Sequence, residues 1–208
     1  MNILSVSQIG PPRRVARAFT LVEMMTAVGV FALLAAAVVA TQMFAFRIYT
    51  LSANRLIITS DGRHVMDQIR DAIREAKTLY VGNCANGFPG SFVIAANLQS
   101  GNALQVFPST NAAVYVIYYL DDSNAVTNYL KAFTVPASGQ RTIITLASGM
   151  TNKVIFYAED YQGFVLTNNA DNRVIKALLQ FMKQAYAGTG TVRSAYQLRT
   201  WATQRILN

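Results

Sequence analysis

Nothing constrains this chain more than the 23 residues from Met24 to Phe46, none of which carries a charge. As a helix they extend roughly 34 Å at about 1.5 Å per residue, enough to cross the hydrocarbon core of a bilayer. No proline interrupts the run, and its Ala- and Leu-rich composition favours a straight helix. Arg13, Arg14 and Arg17 precede it with no acid among them, and Arg47 marks its far end. One carboxylate, Glu23, stands at its head. An acid at a membrane edge is costly unless something pairs with it, so the partner of Glu23 is the question the sequence poses.

The rest of the composition agrees with a membrane segment. Charged residues make up 13% of the chain and apolar residues 52%, the opposite of the bias that disorder requires. The formal charge of +8 raises nucleic acid as a partner, and the tail from Arg173 onward holds six basic residues and no acid. Strand pairing would scatter those six over alternating faces, so most of the excess reads as membrane topology. Nucleic acid stays an alternative partner that the sequence does not exclude. Cys84 is alone, which forbids an intramolecular disulfide and a cysteine metal cluster.

Four segments follow from the patterning. Residues 1–18 are a basic leader broken by Gly10-Pro11-Pro12. Residues 19–46 form the transmembrane half of a helix and residues 47–80 its amphipathic half. In RHVMDQIRDAIREAKTLY, Val65, Met66, Ile69, Ala72, Ile73, Ala76 and Leu79 recur at helical spacing, opposite Asp67, Arg70, Asp71, Arg74 and Glu75. Gly62, beside Ser60-Asp61, predicts a kink or short melt between the halves. Residues 81–208 read as a β-rich domain, with strands expected in SFVIAAN, ALQVF, AVYVIYYL, AVTNYLKAF, TIITLA, KVIFYAE and GFVL. AVYVIYYL is apolar on both faces and predicts a central strand. RVIKALLQFMKQAY fits either period and is read as a strand from its neighbours; AYQLRTWATQRI supplies the last one. The fold class is α+β, a long N-terminal helix packed by its second half on a mainly antiparallel sheet.

With these pieces in order, Ala18-Phe19-Thr20-Leu21-Val22-Glu23 resembles the prepilin peptidase site of type IV pilins and type II secretion pseudopilins, with Ala18 where most members carry Gly. The resemblance implies cleavage between Ala18 and Phe19, N-methylation of Phe19, and contact of Glu23 with a neighbouring subunit's N-terminus. Cutting there would create an ammonium of pKa about 7.7–8 at the membrane edge, and each of the two charges would neutralise the other between adjacent helices. The implied partners are the prepilin peptidase/methyltransferase, sister pilins or pseudopilins, and inner-membrane lipid. The implied placement is a single pass, N-terminus cytoplasmic and C-terminal domain extracytoplasmic. The layout of helix and sheet loosely resembles the J-type minor pseudopilins and W-type minor pilins, which sit at the tip and prime assembly.

A cleaved secretory signal is the competing reading of the N-terminus. Its apolar core runs about 7–15 residues and is cut at its far end, and a carboxylate near its start would serve nothing. A membrane-anchored binding module for a substrate, a surface or DNA would use the same anchor. A tethered enzyme finds little support, and no cofactor is implied. His64 is the lone histidine, on a solvated helix face; Cys84 has no second histidine to activate it; and GxGxxG, P-loop and HExxH patterns are absent. The acid pairs Asp121-Asp122 and Glu159-Asp160 each follow an aromatic strand, where turns place Asp and Asn. A shared Ca²⁺ site is the alternative use of them.

Overall fold

The computed structural model describes residues 19–124, 127–187 and 190–205. The chain divides into two compact units, Met1–Ala45 and Phe46–Asn208, and helix α1 (Leu21–Glu75) contributes to both. In the first unit every described residue is exposed, including Phe19, Leu21, Phe31 and Leu33. A helix apolar all round and covered by nothing is at home in lipid or among other helices. Among the described residues this is one helix long and apolar enough to span a membrane, over Leu21–Ala53. Its hydroxyls do not oppose that environment. Thr26 Oγ1 donates to the Val22 and Glu23 carbonyls and Thr41 Oγ1 to the Ala37 carbonyl, so neither needs water.

The second unit sets the end of α1 on a curled antiparallel sheet. The strands are β1 (Thr78–Asn83), β2 (Val93–Ile94), β3 (Ser100–Gly101), β4 (Ala103–Phe107) and β5 (Tyr115–Asp121). They continue with β6 (Asn128–Val135), β7 (Thr142–Met150), β8 (Phe156–Glu159), β9 (Val174–Ala187) and β10 (Gly190–Thr203). The order is β2-β1-β4-β5-β6-β7-β9-β8-β3, with β10 also on β9. β10 covers one edge of β9 along its whole length, so β8 and β7 share the other, β8 at Val174–Ala177 and β7 at Phe181. At the far end β3 curls back beside β1, so closely that a Cβ on Gly101 would overlap the Gly82 carbonyl. The α+β expectation holds.

Two apolar clusters sandwich the middle of the sheet. Val65, Met66, Ile69 and Ile73 of α1, with Ala76 just past its end, pack on Val81, Leu104, Tyr118, Leu120, Leu130, Ile175 and Leu179. Full burial of a side chain such as Ile69 or Ile73 stabilises by about 1.5–3 kcal/mol. The other face of β5 offers Ile117 and Tyr119 to a second cluster with Cys84 and Phe92 from the segment after β1. AVYVIYYL is apolar on both faces because both are covered.

Four local expectations are corrected. Helix was expected through Tyr80, but α1 ends at Glu75 and Thr78–Tyr80 open β1, pairing with Phe107 to Gln105 of β4. Leu79 fits the helical spacing, yet TLYV is also a β-branched and aromatic run with a partner strand, and the partner wins. No kink is assigned at Gly62. The helix runs through it and the glycine is buried, where a Cβ would stand 2.5 Å from Leu198 Cδ1, so the residue is there for close packing. GFVL forms no named strand; Val165 makes a single bridge to Glu159. SFVIAAN shrinks to the two residues of β2.

Gly87 is a backbone position where substitution should be felt. It takes φ +65, and a Cβ there would overlap the Asp121 carboxylate. Gly163 has φ +87 with open space around it. Gly87→Ala should cost on the order of 2–3 kcal/mol in thermal unfolding and Gly163→Ala about 1 kcal/mol. Equal losses would contradict the packing described for the Gly87–Asp121 contact.

Candidate functional site

Arg13, Arg14, Arg17 and Ala18 lie outside the described residues. Phe19 is exposed ahead of α1, and Thr20 immediately precedes the first helical residue, Leu21. A helix start leaves backbone N–H groups without intrahelical acceptors, and here Thr20 and Glu23 serve one another. The Thr20 backbone N–H donates to Glu23 Oε2 at 2.9 Å and the Thr20 hydroxyl to the same oxygen at 3.0 Å. The Glu23 N–H donates to Thr20 Oγ1 at 3.2 Å. This is a capping box, and the negative carboxylate also suits the positive end of the helix dipole. The sequence reading of Glu23 overlooked it, although Thr-Leu-Val-Glu is its signature spacing. Among the described residues Oε1 accepts no bond, so the cap uses one oxygen and leaves the other open.

The acid pairs resolve into two separate ion pairs and a turn. Asp121, the last residue of β5, takes Lys131 Nζ on Oδ2 at 2.5 Å, and the Ser123 N–H and hydroxyl on Oδ1 at 3.0 and 2.6 Å. Burial pushes this carboxyl up, but the bonds from Lys131 and Ser123 together outweigh it and hold the group below the ordinary range. Glu159, the last residue of β8 and 3% exposed, takes Lys176 Nζ on Oε1 and Trp201 Nε1 on Oε2, the latter at 2.9 Å. Each acid thus finds a lysine diagonally across the neighbouring strand. Asp160 Oδ1 accepts from the Gln162 and Phe164 N–H groups and closes a tight turn. Asp121 and Glu159 lie on different strand pairs with β7 between them, and no group of three metal-ligating acids, histidines or cysteines exists among the described residues.

His64 is exposed on α1. Burial pushes the Cys84 thiol up to about 11, the reverse of what a thiolate nucleophile needs. Burial also raises Tyr118 and Tyr119 to about 12, so both phenols stay protonated in the sheet.

A further site was not foreseen from the sequence. Gln204 Nε2 donates to the Ala76 and Lys77 carbonyls at 3.0 and 2.7 Å, and the Arg205 N–H donates to the Arg74 carbonyl at 3.2 Å. The end of the chain thereby satisfies carbonyls left over by the end of α1. Beside this junction lies a cleft of about 560 Å³, walled by Thr78 and Tyr80, by Arg173, and by Gln204 and Arg205. Asn172 also lines it and is 4% exposed. Gln99 Nε2 donates to the Ala95 and Asn97 carbonyls, which turns Gln99 Oε1 toward Asn172 Nδ2 at 3.1 Å. That relay fixes the amide of Asn172 and leaves its Oδ1 buried with no partner. A buried acceptor without a donor costs about 1–3 kcal/mol.

Residues 13–39 match the family model described as the prokaryotic N-terminal methylation motif, consistent with a type IV prepilin-like protein. The match covers the last six residues of the leader and the apolar helix as far as Val39, and stops short of the sheet domain. No curated protein and no solved structure matches the chain.

Proposed function

We propose that the chain is a minor, tip-type pilin or pseudopilin: a structural subunit cut between Ala18 and Phe19, methylated on Phe19, and assembled through its N-terminal helix. The observation that carries this reading is the methylation motif set against a fully exposed apolar helix whose first turn is capped by Thr20 and Glu23. In this reading Arg13, Arg14 and Arg17 keep the leader on the cytoplasmic side, and lipid holds the helix until assembly extracts it. Glu23 does two things at once. Oε2 stays with Thr20, and Oε1 meets the ammonium of Phe19 on a sister subunit.

The function is mechanical and needs no turnover. Its partners are the prepilin peptidase/methyltransferase and sister pilins or pseudopilins, in a single-pass inner-membrane setting with the sheet domain extracytoplasmic. Affinity isolation of the tagged chain from native membranes should bring down other subunits bearing the same N-terminal motif. Isolation of the chain free of any such subunit, under conditions that keep membrane complexes intact, would overturn the assignment. The cleft favours a second, compatible role as an anchored binding module.

A further inference from the structure

We propose that the cleft beside the end of α1 binds the carboxylate end of an extended peptide segment from a partner protein. Three independent features of its wall point to that chemistry. First, charge: Arg173 and Arg205 line the cleft, neither makes a salt bridge among the described residues, and no Asp or Glu belongs to the wall. A carboxylate or another small anion matches them, arginine being the side chain best shaped to take one.

Second, the buried acceptor. Asn172 Oδ1 faces no donor, and the Gln99 relay prevents the amide from turning over to offer its Nδ2 instead. The occupant therefore carries an N–H or O–H donor close to its anionic group. A peptide terminus has both, since its last amide nitrogen lies two bonds from the carboxylate carbon.

Third, an open strand edge. β2 and the residue after it cover the outer edge of β1 only from Val81 to Asn83, the Ala95 N–H donating to the Val81 carbonyl, whereas Thr78, Leu79 and Tyr80, paired with β4 on the inner edge, line the cleft beyond that cover. Backbone groups on such an edge receive an added strand. A compact anion would use the arginines and leave this edge idle. A volume of about 560 Å³ is also far more than one small anion fills.

The site lies wholly within the sheet unit, so the proposal does not depend on cleavage or assembly at the N-terminus. The test uses the full chain, solubilised in detergent and immobilised. Random hexapeptide libraries with free and with amidated C-termini are passed over it, and retained material is quantified by mass spectrometry. Free-carboxylate peptides should be retained about tenfold above amidated ones, the size expected of a charge-assisted contact. The double variant Arg173→Ala/Arg205→Ala replaces two exposed side chains and should keep the wild-type melting temperature while losing that difference. Equal retention of the two libraries overturns the proposal. So does a preference that survives in the double variant. Inorganic phosphate binding tightly where neither library is retained would show a compact-anion site and overturn it too.

Discussion

Glu23→Gln should abolish co-isolation of sister subunits as completely as Glu23→Ala, while only the alanine variant loosens the start of the helix. The two variants separate the cap that the structure shows from the assembly contact proposed for this carboxylate. Glutamine at the third helical position still completes a capping box with Thr20, so the local hydrogen bonds survive. Alanine removes them, at about 1 kcal/mol. What glutamine cannot supply is the negative charge for a neighbouring ammonium. Stranding one member of an ion pair away from water costs roughly 3–5 kcal/mol, a hundredfold or more in affinity between subunits. Co-isolation of tagged variants from native membranes reads the assembly effect. Amide exchange at the first turn of α1 reads the cap. Wild-type assembly by the glutamine variant would show that the carboxylate is a cap and nothing more.

The largest stability effect should fall at the second ion pair. Lys176→Met leaves Glu159 buried with one donor, Trp201 Nε1, and should cost roughly 3–5 kcal/mol. Methionine keeps most of the length that now carries the ammonium over the Tyr157 ring, 4.7 Å from its centroid, so lost packing contributes little. The double variant Lys176→Met/Glu159→Gln removes the stranded charge and should regain most of the loss. Denaturant unfolding of the detergent-solubilised chain measures both. A single variant within about 1 kcal/mol of wild type, the scale of an exposed surface pair, would mean that the Glu159 environment is far wetter than the geometry indicates.

The sequence made the large elements legible because their signals are local and long. The membrane-length run and the Val65–Ile73 stripe survive in α1, ALQVF and TIITLA lie in β4 and β7, and AVYVIYYL supplies all of β5 but its last residue. RVIKALLQFMKQAY, which satisfies either period, becomes β9 because β8, β7 and β10 all pair with it, a fact of tertiary pairing that no window contains. Thr78–Tyr80 went to the helix for the same reason: its strand partner, Gln105–Phe107, lies far along the chain. Gly62 looked like a breaker because its neighbour, Leu198, is equally remote. The capping box was legible and overlooked, since Glu23 was read for its charge and not for its distance from Thr20. The cleft was not legible. Its walls come from three stretches around residues 77–80, 169–173 and 204–205, and the orphan oxygen of Asn172 depends on the orientation of Gln99.

The central claim is that Phe19 begins the working protein. Intact-mass analysis of the chain isolated from membranes of a host with the peptidase answers it directly. The account predicts a 190-residue species (208 minus 18) with a methylated Phe19 at its N-terminus. An uncut chain in such a host, or a mature terminus after residue 40, would contradict it.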